Sequence, residues 1–205
     1  MTSLDHSASL TSAENVADYL LAGKRPEQLA LITSKSQHSY GEIGRASSIV
    51  ASRLIASGAE KQDRVLLIEE NGLAWVSAYL GILRAGLICV PLPPGISAAE
   101  LSYSIATVRP NFVIANRKVV SAQPGAFREI KLVSADVGNS DDAEHHVPWT
   151  SGGSDLAALM FTSGSTGKPR AVSVSHANII ANTESIISVL RLSSADRIMN
   201  VLPWH

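Results

Sequence analysis

The stretch L-A-A-L-M-F-T-S-G-S-T-G-K-P-R-A-V-S-V, residues 156–174, decides how this chain is read. Leu156 to Phe161 is a continuous apolar run of strand length, and Ala171 to Val174 is a second short strand-like run. Between them Thr162, Ser163, Ser165 and Thr166 bring hydroxyls, Gly164 and Gly167 bring backbone freedom, and Lys168 brings a cation. Glycines let successive N–H groups converge on one anion, and hydroxyls and an ammonium complete such a cradle, so the run suits a loop that wraps phosphate. A flexible Gly/Ser connector is the competing reading. Placement directly after a buried strand argues for the phosphate loop. The run is not a Walker A motif, which needs Gly where Thr162 stands and Ser or Thr where Pro169 stands. No G-x-G-x-x-G occurs anywhere, which removes the dinucleotide fingerprint.

Outward from this stretch, helix-period and strand-like segments alternate, which predicts an α/β fold with a largely parallel sheet flanked by helices. Ser39 and Glu42 form a capping box for a helix carrying Ile43, Ala46, Ile49, Val50 and Leu54 on one face and closing at Gly58. A strand follows from Val65 to Ile68, and Asn71-Gly72 then turns into a helix with Leu73, Val76, Leu80 and Leu83 on one face. Leu87 to Val90 is the next strand. Ser97 and Glu100 open another helix that must end before Pro110. Phe112 to Ala115 and Ile130 to Val133 read as strands. Ser175 caps a helix from about His176 to Arg191 whose apolar face is Ile179, Ile180, Thr183, Ile186, Ile187 and Leu190, and Arg197 to Val201 is the last expected strand. The polar stretch from Ser134 to Gly153 reads as a surface loop; its Asp141, Asp142, His145 and His146 lack a fixed ligand spacing, so a metal site is disfavoured there.

The segment Thr162 to Arg170 closely resembles the phosphate loop of the adenylate-forming superfamily, T-S-G-[ST]-T-G-x-P-[KR]-G, and departs from it at Ala171, where Gly is usual. This superfamily includes acyl-CoA synthetases, aryl-CoA ligases, luciferases and peptide-synthetase adenylation domains. Ser39-Tyr40-Gly41-Glu42-Ile43 with Asp63-Arg64-Val65 is similar to its T-Y-x-E-L and G-D-R-V region. Leu83 to Leu92 is similar to L-K-A-G-A-x-x-V-P-L, and Val201 to His205 to the L-P-x-x-H stretch. The likeness runs from about residue 12 to residue 205.

The resemblance implies an enzyme that joins a carboxylate to the α-phosphate of ATP, releases pyrophosphate, and passes the acyl group to coenzyme A or a carrier-bound phosphopantetheine. It assigns ATP binding to Thr162, Ser163, Gly164, Ser165, Thr166, Gly167 and Lys168, with Thr166 also assisting Mg2+. His205 falls where the family places a residue beside the acyl pocket, and Trp204 is expected to pack against the core or the pocket wall. His176, between a strand and a helix, suits a structural role. Peptide synthetases carry F-D-x-S where this chain has Leu202-Pro203-Trp204-His205; without that Asp, a fatty or aryl acid is favoured over an amino acid. The family's magnesium-binding Y-G-x-T-E, ribose-binding Asp, hinge and C-terminal lysine do not occur among these residues. They are therefore expected to form an N-terminal portion of the large domain, inactive alone. The alternatives are a non-catalytic phosphate or nucleotide-binding module and an interaction protein.

Composition agrees with a large core and a thin supply of charge. Among 205 residues, 45% are hydrophobic and 17% are charged, against about 25% charged in an average protein. The uncovered apolar faces predict self-association. A net charge of -1 offers no field for nucleic acid or an anionic membrane. Cys89, the one cysteine, reads as a buried structural thiol and suits a reducing compartment. The first residues lack a basic start with an apolar run, and the longest apolar stretches are broken by Arg84, Pro91, Pro93 and Pro94, so a soluble cytoplasmic protein is expected.

Overall fold

The computed structural model describes residues 14–138, 150–162 and 169–204. In chain order these form α1 (Val16–Leu21), β1 (Leu29–Ile32), β2 (Gln37–Ser39), α2 (Tyr40–Ala56), β3 (Arg64–Ile68), α3 (Leu73–Arg84), β4 (Ile88–Pro91), α4 (Ala98–Val108), β5 (Phe112–Ala115), α5 (Arg117–Ala122), β6 (Lys131–Leu132), β7 (Leu156–Thr162), β8 (Arg170–Ser175) and α6 (His176–Leu190). β1 and β2 make a small antiparallel ribbon. The main sheet has the order β6-β5-β3-β4-β7-β8, parallel throughout except for β8, which runs antiparallel to β7.

Both faces of the sheet are covered, which is why its central strands read as unbroken apolar runs. Val65 and Leu67 face one core with Cys89, Phe112 and Ile114, against α1, α2 and α3. Leu66 and Ile68 face the other with Val90 and Val113, against Leu101 and Val108 of α4 and Val119 of α5. The two-residue period of a strand sorts neighbouring side chains into opposite layers, and the result is helix, sheet, helix.

The helix starts follow the local signals. Ser39 Oγ accepts from Glu42 N while the Glu42 carboxylate accepts from Ser39 N; Ser97 and Glu100 do the same for α4. A third box, Ser175 with Asn178, opens α6. α3 departs from the expected one-sided helix. Trp75, Ser77, Ala78, Leu80, Gly81, Ile82 and Leu83 are all buried, while Leu73 and Val76 are only partly so, because α1, α2 and the sheet enclose the helix on several sides. Contact with α2 is close: a Cβ built on Gly81 would lie 2.8 Å from Ser47 O and 2.7 Å from Val50 Cβ.

The sheet is largely parallel, as expected; its edge strand β8 is antiparallel, because the connection from Thr162 back to Arg170 is too short for a crossover. One expectation is corrected. Arg197 to Val201 is not a strand: Ile198, Met199 and Val201 are at least 75% exposed, and no neighbouring strand among the described residues pairs with the segment. Among the described residues no helix is long and apolar enough to cross a membrane.

Candidate functional site

In an open α/β sheet, ligands gather where parallel strands end at their carboxyl termini. Here that edge collects Glu69, Glu70 and Asn71 after β3, Leu92 after β4, Asn116 after β5 and Thr162 at the end of β7. Thr162 pairs with Arg170, so both ends of the connecting segment are tied into the sheet, with Thr162 Oγ1 3.5 Å from Arg170 O. Phe161 and Ala171 fix those ends further by packing onto the second core. Pro169 is held from another element: Tyr103 on α4 donates its hydroxyl to Pro169 O at 2.9 Å.

Of the sequence-assigned loop residues, Thr162 is thus placed at the carboxyl edge. Ser163, Gly164, Ser165, Thr166, Gly167 and Lys168 lie outside the described residues, as do His205 and the group Asp141, Asp142, His145 and His146. Among the described residues no group of three or more His, Cys, Asp or Glu side chains is placed to hold a metal.

The segment before His205 is described, and it docks on the same edge. Asn71 Nδ2 donates to Leu202 O at 3.0 Å, and Asn71 Oδ1 accepts from Trp204 N at 3.2 Å. The Trp204 ring meets Trp75 edge-on at 5.3 Å, and Trp75 stacks on Tyr79 at 5.0 Å. Trp204 therefore packs against the core, as expected. Asn71 follows β3 and Thr162 ends β7, and these two strands, with only β4 between them, run about 10 Å apart at 4.7–4.9 Å per strand. Glu69 stands at this edge half-buried; loss of water raises its carboxyl above the usual range, partly offset by a hydrogen bond from the Glu70 backbone.

His176 belongs elsewhere. Leu156 pairs with Ser175, so His176 sits at the amino end of β7, about 20 Å from Thr162 along a seven-residue strand. Its ring is fully buried, and Nδ1 accepts from Val16 N at 3.2 Å, which binds α1 to α6. The neutral imidazole therefore carries its proton on Nε2, which has no hydrogen-bond partner among the described residues. Nearby, Lys61 pairs with Asp155 at 2.8 Å, and that hydrogen bond, with another from Gly152 N, holds the Asp155 carboxyl below its usual range. These charges brace the amino end of the sheet. Cys89 is buried in mid-sheet with its thiol pushed up by burial, which suits a structural residue.

Two residues of this edge escaped the sequence reading. Asn71 looked only like a turn former beside Gly72, and Tyr103 only like a member of α4. Their roles are contacts across 131 to 133 and 66 residues, for which a linear sequence carries no local signal.

A parallel sheet with a hydroxyl- and glycine-rich connection leaving its carboxyl edge is an arrangement that suits nucleotide-handling α/β proteins. The profile of the AMP-binding enzyme family matches residues 21–205, and the chain belongs to that family. Among its relatives is the nonribosomal peptide synthetase gliP of Aspergillus fumigatus, 30% identical over 181 residues, which are 87% of this chain and 8% of that protein. ATP-bound MatB from Rhodopseudomonas palustris superposes with a TM-score of 0.80 at 27% identity, covering 93% of this chain and 40% of MatB. VinN in complex with L-aspartate gives 0.79 at 28% identity, covering 89% and 49%. The chain thus spans less than half of each of these proteins.

Proposed function

We propose that these residues supply the phosphate-binding portion of an ATP-dependent enzyme that activates a carboxylic acid as its acyl-adenylate. The observation that carries this reading is the run Thr162 to Arg170, rich in hydroxyls and glycines and ending in cations, leaving β7 at the carboxyl edge of the sheet. A carboxylate oxygen bonds to the α-phosphorus of ATP, the bond from that phosphorus to the bridging oxygen breaks, and pyrophosphate leaves with the electron pair. Two anions must approach and a third must depart, so the protein's task is placement and neutralisation. Backbone N–H groups and hydroxyls of residues 163–167 would hold the β- and γ-phosphates, with Lys168 neutralising the leaving charge. Mg2+ would be bound through the nucleotide's phosphates, with Thr166 assisting. Transfer to coenzyme A or to a phosphopantetheine carrier is the second half of the proposed reaction.

Residues 202–205 lack the Asp that holds an amino group in peptide synthetases, which favours a fatty or aryl acid. The relative gliP is a nonribosomal peptide synthetase, so amino acids belong in any substrate panel. A second reading is binding of phosphate or nucleotide without turnover.

Titration of the chain with ATP and pyrophosphate tests the shared core of both readings. Lys168→Ala should weaken pyrophosphate binding by about ten- to a hundredfold, the worth of one charge-assisted hydrogen bond of roughly 1.5–3 kcal/mol, while the melting temperature stays put. Carboxylate-dependent ATP–pyrophosphate exchange above background would establish turnover; these 205 residues are expected to show none. Unchanged affinity in Lys168→Ala with loss of folding would make the loop structural and sink the proposal.

A further inference from the structure

We propose that Lys61 and Gln62 act as a two-residue clamp that fixes the register of β7, and with it the point at which Thr162 leaves the sheet. The clamp itself is independent of the adenylating reading, and only its consequence for phosphate binding rests on that reading. Gln62 has a backbone that a side chain disfavours: its φ is 67°, in the left-handed region, where the G-D-R-V pattern has glycine. Such a conformation persists in a residue other than glycine when its surroundings over-determine it. Here its bonds do so. Gln62 N donates to Gly86 O at 2.9 Å, and the side chain reaches across to β7. Its Nε2 donates to Leu156 O at 3.1 Å and its Oε1 accepts from Leu156 N at 3.2 Å, so one carboxamide takes both main-chain groups of one residue, as a neighbouring strand would.

β7 needs that substitute. Among the described residues β4 and β7 pair at Cys89 with Ala158, and β4 begins at Ile88. Two residues before Ala158, where Leu156 presents its N–H and C=O, the adjoining chain is committed to α3: Leu87 N donates to Ile82 O at 3.1 Å and Gly86 N to Leu83 O at 3.0 Å. On the other side, the ladder with β8 is irregular between Leu156 and Ala158. Side-chain size does not choose the register at the buried positions of β7, because these are Ala157 and Ala158, and a one-residue slip exchanges one alanine for the other.

Lys61 makes the grip specific to position. A carboxamide can bind the main chain of any residue, whereas Lys61 Nζ pairs with the Asp155 carboxylate at 2.8 Å. Gly152 N donates to the same carboxylate oxygen at 2.9 Å, and Asp155 O accepts from His176 N at 3.1 Å, so Asp155 is held on three sides. Adjacent residues 61 and 62 thus hold adjacent residues 155 and 156, one by charge and the other by main-chain bonds. A strand is stiff along its length, so a start held in register sets where its seventh residue, Thr162, arrives about 20 Å away.

Amide hydrogen exchange along β7, urea unfolding from pH 7.5 to pH 5 and pyrophosphate titration of the full chain test the clamp in Gln62→Met and Gln62→Glu. Methionine has a similar length and can make neither bond, so Gln62→Met should lower the protection of β7 amides at both ends of the strand by about tenfold or more, and weaken pyrophosphate binding several-fold. The carboxyl of Gln62→Glu matches the carboxamide only when protonated, because its O–H then donates to Leu156 O while its C=O accepts from Leu156 N. The charged form sets an oxygen against Leu156 O, with Lys61 and Asp155 as the charged neighbours. Folding therefore raises the affinity of this carboxyl for a proton, and the stability deficit of Gln62→Glu against the unaltered chain should shrink as pH falls, while that of Gln62→Met stays constant. A Gln62→Glu deficit independent of pH, or protection lost at Leu156 alone, would each overturn the clamp. Lost protection along β7 with unchanged pyrophosphate affinity would overturn its bearing on the phosphate loop. An unaltered chain that binds no pyrophosphate would refute the phosphate-loop reading, and the exchange and pH results would still decide the clamp. The pH comparison decides even where Gln62→Met fails to fold.

Discussion

Adding one methyl group at Gly81 should destabilise the fold, whereas adding the same methyl at Gly44 should stabilise it. Both glycines lie inside long helices, α3 and α2, and neither has a positive φ, so Gly→Ala returns the same propensity, about 1 kcal/mol, at each. The surroundings differ. At Gly44 nothing lies within 4 Å of the added carbon. At Gly81 it would sit 2.7 Å from Val50 Cβ, 2.8 Å from Ser47 O and 2.9 Å from Val50 Cγ1. Carbon contacts are comfortable at about 3.5–4.0 Å, so α2 and α3 must separate by roughly 0.7–1 Å. One of the clashing atoms is a backbone oxygen in a fully buried turn, which has no rotamer to yield. Overpacking of this kind costs about 1–3 kcal/mol, and the rigid neighbour places it in the upper half of that range. Net of propensity, Gly81→Ala should lose about 1–2 kcal/mol and Gly44→Ala should gain up to about 1 kcal/mol. Urea unfolding followed by far-UV circular dichroism and by tryptophan emission, with Trp75 on α3 itself, measures both at low protein concentration. If Gly81→Ala proves as stable as Gly44→Ala, the two helices are not in the contact described here.

His176 makes stability depend on pH. Burial lowers its affinity for a proton, only partly offset by Asp155 and Asp18, so the unfolded chain takes up the proton first as pH falls. Stability should therefore be constant above about pH 6.5 on this account and decline below it, and His176→Asn should flatten that slope in unfolding curves recorded down to pH 5. Tyr103→Phe removes the hydroxyl that holds Pro169 and should weaken ATP binding by several-fold at a cost of no more than about 1.5 kcal/mol in stability, both read by titration and melting. An effect on stability alone would detach Tyr103 from the loop. Asn71→Leu breaks both bonds to the 202–204 segment, so Trp204 should leave Trp75 and its emission should shift to the red and become more accessible to acrylamide quenching. Unaltered quenching would show that the aromatic contact holds the segment unaided.

What could be read directly from the chain is local in origin. Two capping boxes, Ser39 with Glu42 and Ser97 with Glu100, and the N-cap at Ser175 were visible, because a cap needs only a partner three residues away; that Asn178 completes a third box was not. The central strands were visible as unbroken apolar runs, since layers cover both faces of the sheet. The residue types of Thr162 to Arg170 suggest a phosphate loop without any fold, and residues 163–168 of that run lie outside the described residues. Other features escaped because their causes are distant. α1, β1, β2 and α5 are only three to six residues long, too short for a period to show; α1 is held by Asn15 Nδ2 on Leu83 O, 68 residues away, and by His176. The reversed direction of β8 is a property of a pair of strands, and Arg197 to Val201 has strand-like composition yet no neighbouring strand here to complete its hydrogen bonds. Asn71 and Tyr103 carry nothing in their neighbourhoods to mark them as anchors. Helix caps and buried strands are written in single segments, whereas strand direction, edge exposure and the clamps around the site come into being only when segments far apart in the chain are brought together.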